Sequence, residues 1–238
     1  MYFLLDSNIT AGYYLPRSLD SKKARERIAN IFDAVRSGAT SHFFYIPNFC
    51  VAEVFSVFMK HAYSAWNSQV KKKGGTIDKR VYEHLVMQFQ TDIHNGRFIY
   101  HYELSRYHVL GINLVGPVDH YFKSKTGRPM GTFDHLIISM GIHLAHIHGR
   151  DNVTILSADK RLTDILAKCK SAIPSATKKK LKLSIAEEVT GKPFGPNIFP
   201  RHLNLALASR NELKALLGQW PLPLGIVPKV YRWLKVPP

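Results

Sequence analysis

The sequence predicts an α/β fold in which a mostly parallel sheet lies between two layers of helices. Short apolar runs of strand length alternate with longer amphipathic segments along the first 175 residues. Most of the short runs are apolar throughout, as expected for strands that are covered on both faces. The chain has 238 residues, which is enough for one such domain with an extension. Right-handed crossovers between parallel strands would connect these elements.

The first part of the chain supplies two strands, each followed by a helix. The predicted elements are a strand at 2–5, a helix at 21–38 capped by Ser18 or Asp20, a strand at 43–46 and a helix at 51–61. A polar turn, Asp6-Ser7-Asn8, closes the first strand. Because this strand begins at residue 2 and is wholly apolar, we expect it to be central in the sheet.

The remaining elements continue the alternation, with an inserted helical region around residues 62–96. They are a basic loop at 71–75, a helix at 78–94, a strand at 97–102, a helix at 105–115, a loop at 126–131, a helix at 133–146 and a strand at 153–156. Composition then changes, because eight of the 13 prolines fall in residues 192–238. We therefore predict a domain over 1–175 and a basic, proline-rich extension over 176–238, with one helix at 203–217.

Net charge and cysteine content limit the classes of partner and metal site that the protein is expected to have. Lysine and arginine number 33 against 17 acids, which gives a net charge of +16. A field of this sign favours polyanions, with nucleic acid as the first candidate and an anionic membrane surface as the second. The two cysteines are far apart and form no C-x-x-C pair, which argues against a disulfide framework or a cysteine zinc site. No segment is typical of a signal peptide or a spanning helix, so we expect a cytoplasmic protein.

Acidic side chains lie at strand ends or helix starts in four places. These are Asp6 after the first strand, Glu53 and Asp134 near helix starts, and Asp159 after the strand at 153–156. Ligands of open parallel sheets gather at the carboxyl ends of the strands. Crowded carboxylates repel one another, and a hard divalent cation is the usual remedy. The pattern therefore predicts a Mg²⁺ or Mn²⁺ site.

The segments that contain these acids resemble the four motifs of PIN-domain nucleases, in the same order. They are 3–8 (FLLDSN), 51–54 (VAEV), 132–137 (TFDHLI) and 155–162 (ILSADKRL). The resemblance covers residues 1 to about 170 and implies a PIN-like fold. Two features depart from compact members such as the VapC-like toxins: the intervals between the first three acids are longer, and the tail past 175 has no counterpart. Ser157 stands where threonine is commoner, which keeps the hydroxyl.

Carried over to this chain, the resemblance implies the residues of a metal-dependent endoribonuclease. Asp6, Glu53, Asp134 and Asp159 would hold Mg²⁺ or Mn²⁺ and serve catalysis, with Asn8 and Ser157 in support. Hydrolysis of RNA would leave a 5′-phosphate and a 3′-hydroxyl. The resemblance to toxins also implies a protein partner at the extension, either an antitoxin or an RNA-processing factor, and a homodimer.

Basic side chains outside the four motifs are candidates for RNA binding. Lys160 and Arg161 follow Asp159 directly, and a lysine run, Lys178, Lys179, Lys180 and Lys182, begins the extension. Each would contact phosphate. The other interpretation is that both groups are ordinary solvated charge.

Other interpretations of these residues and of the protein stay open. Asp6, Asp134 and Asp159 would also serve as turn or cap residues. The histidines at 143, 146 and 148 are expected to be packing or surface residues rather than zinc ligands, since no acid or cysteine completes a set. An aspartyl-phosphate phosphatase is disfavoured, because residue 8 is Asn and breaks the Asp-x-Asp pattern. The alternative function is a catalytically silent PIN-like scaffold that binds RNA.

Overall fold

A computed structural model of the protein describes residues 1–69, 80–94, 98–122, 129–173 and 198–225. Its centre is a sheet of five strands in the order β3-β2-β1-β4-β5. The strands are β1 (Tyr2–Leu5), β2 (Phe43–Pro47), β3 (Ile99–Tyr102), β4 (Val153–Ser157) and β5 (Arg201–Asn204). All four neighbouring pairs run parallel. Helices flank the sheet, which confirms the predicted three-layer α/β class.

The central position of β1 follows from its burial. Phe3, Leu4 and Leu5 are completely buried, so this strand has no edge that faces water. Tyr2 is in register with Phe43 of β2 on one side and with Val153 of β4 on the other. The carboxyl ends of β1 and β4 therefore lie side by side. The expectation of a central first strand is confirmed.

The helices before β2 differ from the prediction in two respects. An additional helix, α1 (Ser7–Tyr14), starts directly after β1, where the sequence indicated only a turn. Its apolar residues Ile9, Ala11 and Tyr14 are buried, and this tertiary packing stabilises a helix too short to form alone. The next helix, α2 (Lys22–Arg36), is capped by the Ser21 side chain, which accepts from the Ala24 N–H at 3.2 Å. The predicted caps at Ser18 and Asp20 were wrong.

The predicted helix at 51–61 and the inserted helical region form two long helices. These are α3 (Asn48–Gln69) and α4 (Arg80–His94). The helix around Glu53 thus begins three residues earlier than predicted and extends eight residues further. The basic loop at 71–75 lies outside the described residues.

Two helices pack against each other on the way to β4. They are α5 (Arg106–Tyr121) and α6 (Thr132–His148). The sequence prediction ended the first of them at residue 115, before Gly116 and Pro117. The helix nevertheless continues, because Leu114, Val115 and Val118 are buried on both sides of the proline. Close approach requires Gly111, since a Cβ there would lie 1.9 Å from the Ser139 hydroxyl oxygen.

The last part of the described chain belongs to the same sheet as the first part. After α7 (Lys160–Ala172), β5 adds to the β4 edge, and α8 (Arg210–Leu217) follows it. The helix predicted at 203–217 is therefore a strand followed by a shorter helix. Ser209 and Glu212 cap that helix reciprocally, which sets its start.

Hydrogen bonds attach this segment to the body of the protein. The Asn30 side chain bonds both backbone groups of Leu222, at 3.1 and 2.8 Å. Arg27 donates to the carbonyls of Leu205 and Ala206, at 2.7 and 3.2 Å. Residues 198–225 thus contribute a strand and several hydrogen bonds to the body formed by the described residues before 174. The division of the chain near residue 175 stays a prediction.

No helix among the described residues is long and apolar enough to cross a membrane. The longest described helix, α3, has 22 residues and carries Glu53 and Lys60. Cys50 and Cys169 are both buried and do not form a disulfide with each other.

A buried ion pair connects α2 with α4. Arg36 and Asp92 form a salt bridge in which each side chain is only 6% exposed, and the Tyr14 hydroxyl donates to the same carboxylate at 2.6 Å. The Arg36 guanidinium also lies over the Phe98 ring, 4.5 Å from its centroid. Burial raises the pKa of Asp92, although Arg36 and Tyr14 oppose the increase. The two charges thus depend on each other to remain buried.

We expect Asp92→Leu to lower the free energy of unfolding by about 3–5 kcal/mol, because it removes the carboxylate that faces the buried Arg36 guanidinium. Adding Arg36→Met should restore most of that loss. Urea denaturation of the two variants measures both effects. Glu26→Gln, which removes an exposed pair with Lys22, is the control and should change stability by less than about 1 kcal/mol. A double variant as unstable as Asp92→Leu would contradict this account.

Candidate active site

The candidate site lies where β1 and β4 end side by side. The Asp6 backbone N–H donates to the Leu156 carbonyl at 3.1 Å and so extends the pairing of the two strands by one residue. Asp6 stands at the start of α1, and Asp159 stands at the start of α7. Parallel strands deliver both acids to the same edge of the sheet, as the sequence predicted.

The Asp6 carboxylate is buried and held firmly. It is 3% exposed, and its Oδ2 accepts from the Ser157 hydroxyl at 2.5 Å and from the Asn8 amide at 2.8 Å. Its Oδ1 accepts a longer bond, from the Ser7 hydroxyl at 3.3 Å. Two strong donors therefore orient Oδ2.

Asn8 and Ser157 also fix the loop that carries Asp159. The side-chain Oδ1 of Asn8 accepts from the Ala158 N–H at 3.1 Å, and the Ser157 hydroxyl accepts from the Asp159 N–H at 2.9 Å. The Asp159 carboxylate caps α7 by accepting from the Arg161 N–H at 2.6 Å. The structure thus places both predicted supporting residues between Asp6 and Asp159. The cap interpretation of Asp159 is confirmed, and it does not occupy the second carboxylate oxygen.

Glu53 and Asp134 approach from the starts of two helices. Glu53 lies in the second turn of α3, and Asp134 lies in the first turn of α6, where one oxygen accepts from the Gly131 N–H at 3.1 Å. Both are partly exposed, in contrast to Asp6. The four acids therefore combine one buried carboxylate with three that reach solvent.

The four carboxylates affect one another electrostatically. The pKa of Asp6 is raised to about 6, by burial first and then by the charges of Glu53 and Asp159, although the Ser157 hydrogen bond opposes the increase. The pKa of Asp134 is also raised to about 6, by burial first and then by Asp6 and Asp159. Among the described residues, no lysine or arginine is a main cause of the pKa shift of Asp6 or Asp134. The structure thus places the four predicted acids close enough for their negative charges to repel one another.

Elsewhere in the described chain, buried aspartates have arginine partners. Three aspartates are buried: Asp6, Asp92 and Asp119. Asp92 pairs with Arg36, and Asp119 pairs with Arg161. Asp6 has hydroxyl and amide donors but no basic partner among the described residues. Although the chain has a net charge of +16, the residues that the structure describes supply no basic partner to this group of acids.

The donor chemistry of the group suits a hard cation such as Mg²⁺ or Mn²⁺. Carboxylate oxygens are the ligands these ions prefer, and repulsion among them is relieved when a cation binds. Among the described residues, no three histidine, cysteine or acidic side chains are arranged as a ready-made metal cage. Mg²⁺ commonly binds through one or two carboxylates, with water and substrate phosphate completing the shell, so the residues present fit such an ion.

Cys50 lies beneath the acids and takes no part in a metal site. It is completely buried, and burial raises the pKa of its thiol well above the usual range, with further increases from Asp6 and Glu53. The thiol therefore stays protonated, whereas a cysteine ligand must be a thiolate.

Asp119 is a residue that the sequence analysis missed. It is 1% exposed, pairs with the Arg161 guanidinium, and its Oδ2 accepts from the Met130 N–H at 2.7 Å. The His135 ring lies 3.2 Å from the same oxygen. Asp119 thus joins the loop before Asp134 to the start of the helix after Asp159. In the sequence, Asp119 was a charged residue beyond the predicted end of the helix at 115. The structure shows that the helix continues and that Asp119 is buried in it.

The predicted RNA-binding side chains have different surroundings. Arg161 is committed internally, because it also donates to the Phe122 carbonyl at 2.8 Å. Lys160 is exposed and pairs with Asp164 one turn along α7. Lys178, Lys179, Lys180 and Lys182 lie outside the described residues. Of the six, only Lys160 is seen at the surface near Asp159.

The histidines of α6 pack within the fold. His143 is 9% exposed and lies 2.6 Å from the Tyr102 hydroxyl, which also contacts His108 at 3.0 Å. Burial lowers the pKa of His143 and of His108 to about 4. The His148 ring stacks on Tyr2, 3.8 Å between centroids. The packing interpretation is confirmed for His143 and His148.

Comparison with known proteins gives little further information. No protein-family model matches the sequence. No curated protein matches it either. Among solved structures, the chain is similar to a chain in the crystal structure of VapBC2 from Rickettsia felis bound to a DNA fragment from their promoter. The match has 14% identity and a TM-score of 0.42, and it covers 69% of this chain and 93% of that chain. At this identity and TM-score, the similarity does not indicate a function for this chain.

Asp134→Asn should stabilise the metal-free protein at neutral pH. The pKa of Asp134 rises on folding from 3.8 to about 6, so above pH 6 the ionised carboxyl favours the unfolded chain. We expect a gain of about 1 kcal/mol in unfolding free energy at pH 7.5 in EDTA, after allowance for solvent screening. The gain should shrink as the pH falls from about 6 towards 4, where the wild-type carboxyl becomes protonated.

Thermal and urea unfolding at several pH values measure this difference. Asp151→Asn is the matched control, because Asp151 is exposed and lies at the other end of β4. It should not show the same pH-dependent gain. A loss of stability in Asp134→Asn at pH 7.5 would mean that the four acids do not repel one another.

Proposed function

We propose that the protein is a metal-dependent phosphodiesterase of PIN-like type, acting as an endoribonuclease. One observation carries the proposal. Asp6 is a buried carboxylate without a basic partner among the described residues, and three further acids surround it at the carboxyl end of a parallel sheet. Burying such a charge is costly unless a cation compensates it. A site of this kind is best explained by a cation that arrives from solution.

The chain orients its carboxylates for this purpose. In Asp6, Asp134 and Asp159, one oxygen is held by hydrogen bonds from Ser157, Gly131 and Arg161 respectively. Among the described residues, no hydrogen bond engages the second oxygen of Asp134 or Asp159. These oxygens, with Glu53, would hold Mg²⁺ or Mn²⁺. A bound cation would supply Lewis-acid stabilisation of the phosphate oxygens and activation of water.

A catalytic base must come from the same group of acids. One of the four carboxylates that is not fully engaged by the cation would orient or deprotonate the attacking water. Asp6, Asp134 and Asp159 are each held by hydrogen bonds, and the described residues supply none to Glu53.

The net charge of +16 supports a polyanionic substrate, and RNA is the class that the PIN resemblance implies. The alternative is a catalytically silent scaffold that binds RNA without cutting it. A protein partner at the extension, a homodimer and a cytoplasmic location remain predictions.

Cleavage assays distinguish the two functions. The purified protein should cut labelled single-stranded RNA with Mg²⁺ or Mn²⁺ and not with EDTA. Asp6→Asn, Asp134→Asn and Asp159→Asn should each lower the cleavage rate at least about 100-fold, since each removes charge from the cation site. Asp151→Asn and His146→Ala should cleave normally. Tight RNA binding with no cleavage in either metal would establish the scaffold instead.

The lysine run at 178–182 makes a separate prediction about binding. If its four lysines contact phosphate, log K should fall with log salt by about 0.7 per contact, or roughly 3 in total. Replacing all four by alanine should weaken RNA binding and flatten the slope by that amount, while cleavage of saturating short substrate stays near normal. Unchanged affinity and slope, measured by fluorescence anisotropy at several salt concentrations, would show that the run only solvates this segment.

A further inference from the structure

Two phenylalanines stack on each other beside the four acids. The rings of Phe49 and Phe133 have centroids 5.0 Å apart and an interplanar angle of 14°. Phe49 precedes Glu53 by one helical turn of α3, so the two lie on the same face. Phe133 directly precedes Asp134 at the start of α6. The Phe49–Phe133 stack therefore adjoins two of the four carboxylates.

The stack is anchored on one side and open on the other. Phe49 packs against the hydrophobic core, whereas Phe133 is 47% exposed. Among the described residues, Phe49 is the ring partner seen for Phe133. Single exposed apolar residues are common, but this ring is stacked on one that packs against the core. Phe133 therefore offers aromatic surface to solvent beside the acids.

The surroundings define what would cover this surface. The ligand expected at the acids brings phosphate groups, and the protein attracts polyanions through its charge of +16. An unpaired nucleobase carries a flat aromatic face at a short distance from its own phosphate. A base within a duplex has both faces covered by its neighbours and would have to leave the helix to stack on a protein ring.

We propose that the Phe49–Phe133 stack binds an unpaired nucleobase next to the scissile phosphate, and that it selects single-stranded RNA over duplex. This inference rests on the proposed function and adds a base-binding subsite to it. Base stacking on an aromatic side chain tolerates every base, so the subsite would favour strandedness rather than sequence. Phe133 provides the contact surface, and Phe49 acts as a positioning residue that holds Phe133.

Stacking of this kind contributes about 1–3 kcal/mol per base, which corresponds to roughly 5- to 150-fold in affinity. Binding is measured in EDTA with a fluorescent single-stranded RNA of about 12 nucleotides, so that cleavage does not interfere. Phe133→Leu keeps an apolar side chain on Phe49 but removes the aromatic face, and it should bind at least about 5-fold more weakly. Phe133→Trp should bind as tightly as the wild type or more tightly.

Tyr100→Ala is the matched control, since Tyr100 is 43% exposed but lies on the edge strand β3, away from the acids. It should bind normally. An abasic position moved along the RNA gives a second test. The wild-type protein should bind more weakly when the abasic site is at one particular position of the RNA. The affinity of Phe133→Leu should not change when the abasic site is at that position. Unfolding temperatures close to that of the wild type would show that the variants are folded.

Several results would overturn the inference. They are full affinity in Phe133→Leu, equal binding of duplex and single strand, or no binding of single-stranded RNA at all. Conversion of a dimer to a monomer by Phe133→Leu, in light scattering, would assign the stack to a contact between copies instead. Weaker binding by Phe133→Leu in a protein that cleaves no RNA would support the subsite while removing the nuclease proposal.

Discussion

Burial of the Asp6 carboxylate at the end of β1 is the constraint on which the site depends. The strand is central and fully apolar up to this residue, so the acid is carried into the interior by the sheet itself. Ser157 and Asn8 hold it there and, through the Asp159 and Ala158 N–H groups, fix the adjacent loop. The same hydrogen bonds therefore satisfy one buried charge and position a second. Losing either would loosen both.

The distribution of arginines distinguishes Asp92 and Asp119 from the acids at the strand ends. The chain neutralises Asp92 with Arg36 and Asp119 with Arg161, and these pairs connect helices. It has abundant positive charge with which to neutralise Asp6 in the same way. Instead the acids at the strand ends face one another, which raises the pKa of Asp6 and Asp134. Carboxyl groups with raised pKa values of this kind cluster at functional sites of proteins.

Hydrophobic patterns within short segments of the sequence predicted the strands and helices whose burial follows those patterns. The apolar runs of β1, β2 and β4 identified the strands, and their carboxyl ends identified Asp6 and Asp159 as neighbours. Helix α1 was missed because its stability comes from buried packing rather than from propensity. Strand β5 was missed because Arg201–Asn204 has little alternation of apolar and polar residues. Its pairing with β4 defines it as a strand. Asp119 was missed because its partners come from positions 11, 16 and 42 residues away.

The central claim is that the four carboxylates direct hydrolysis of RNA by water. The chemical identity of the cleaved ends tests this claim most directly, because it reports which oxygen attacked phosphorus. Mass spectrometry of a single-stranded RNA cut by the purified protein with Mn²⁺ should show 5′-phosphate and 3′-hydroxyl ends, with neither formed by Asp6→Asn. A 2′,3′-cyclic phosphate with a 5′-hydroxyl would contradict the account, because the RNA's own 2′-oxygen would then be the nucleophile.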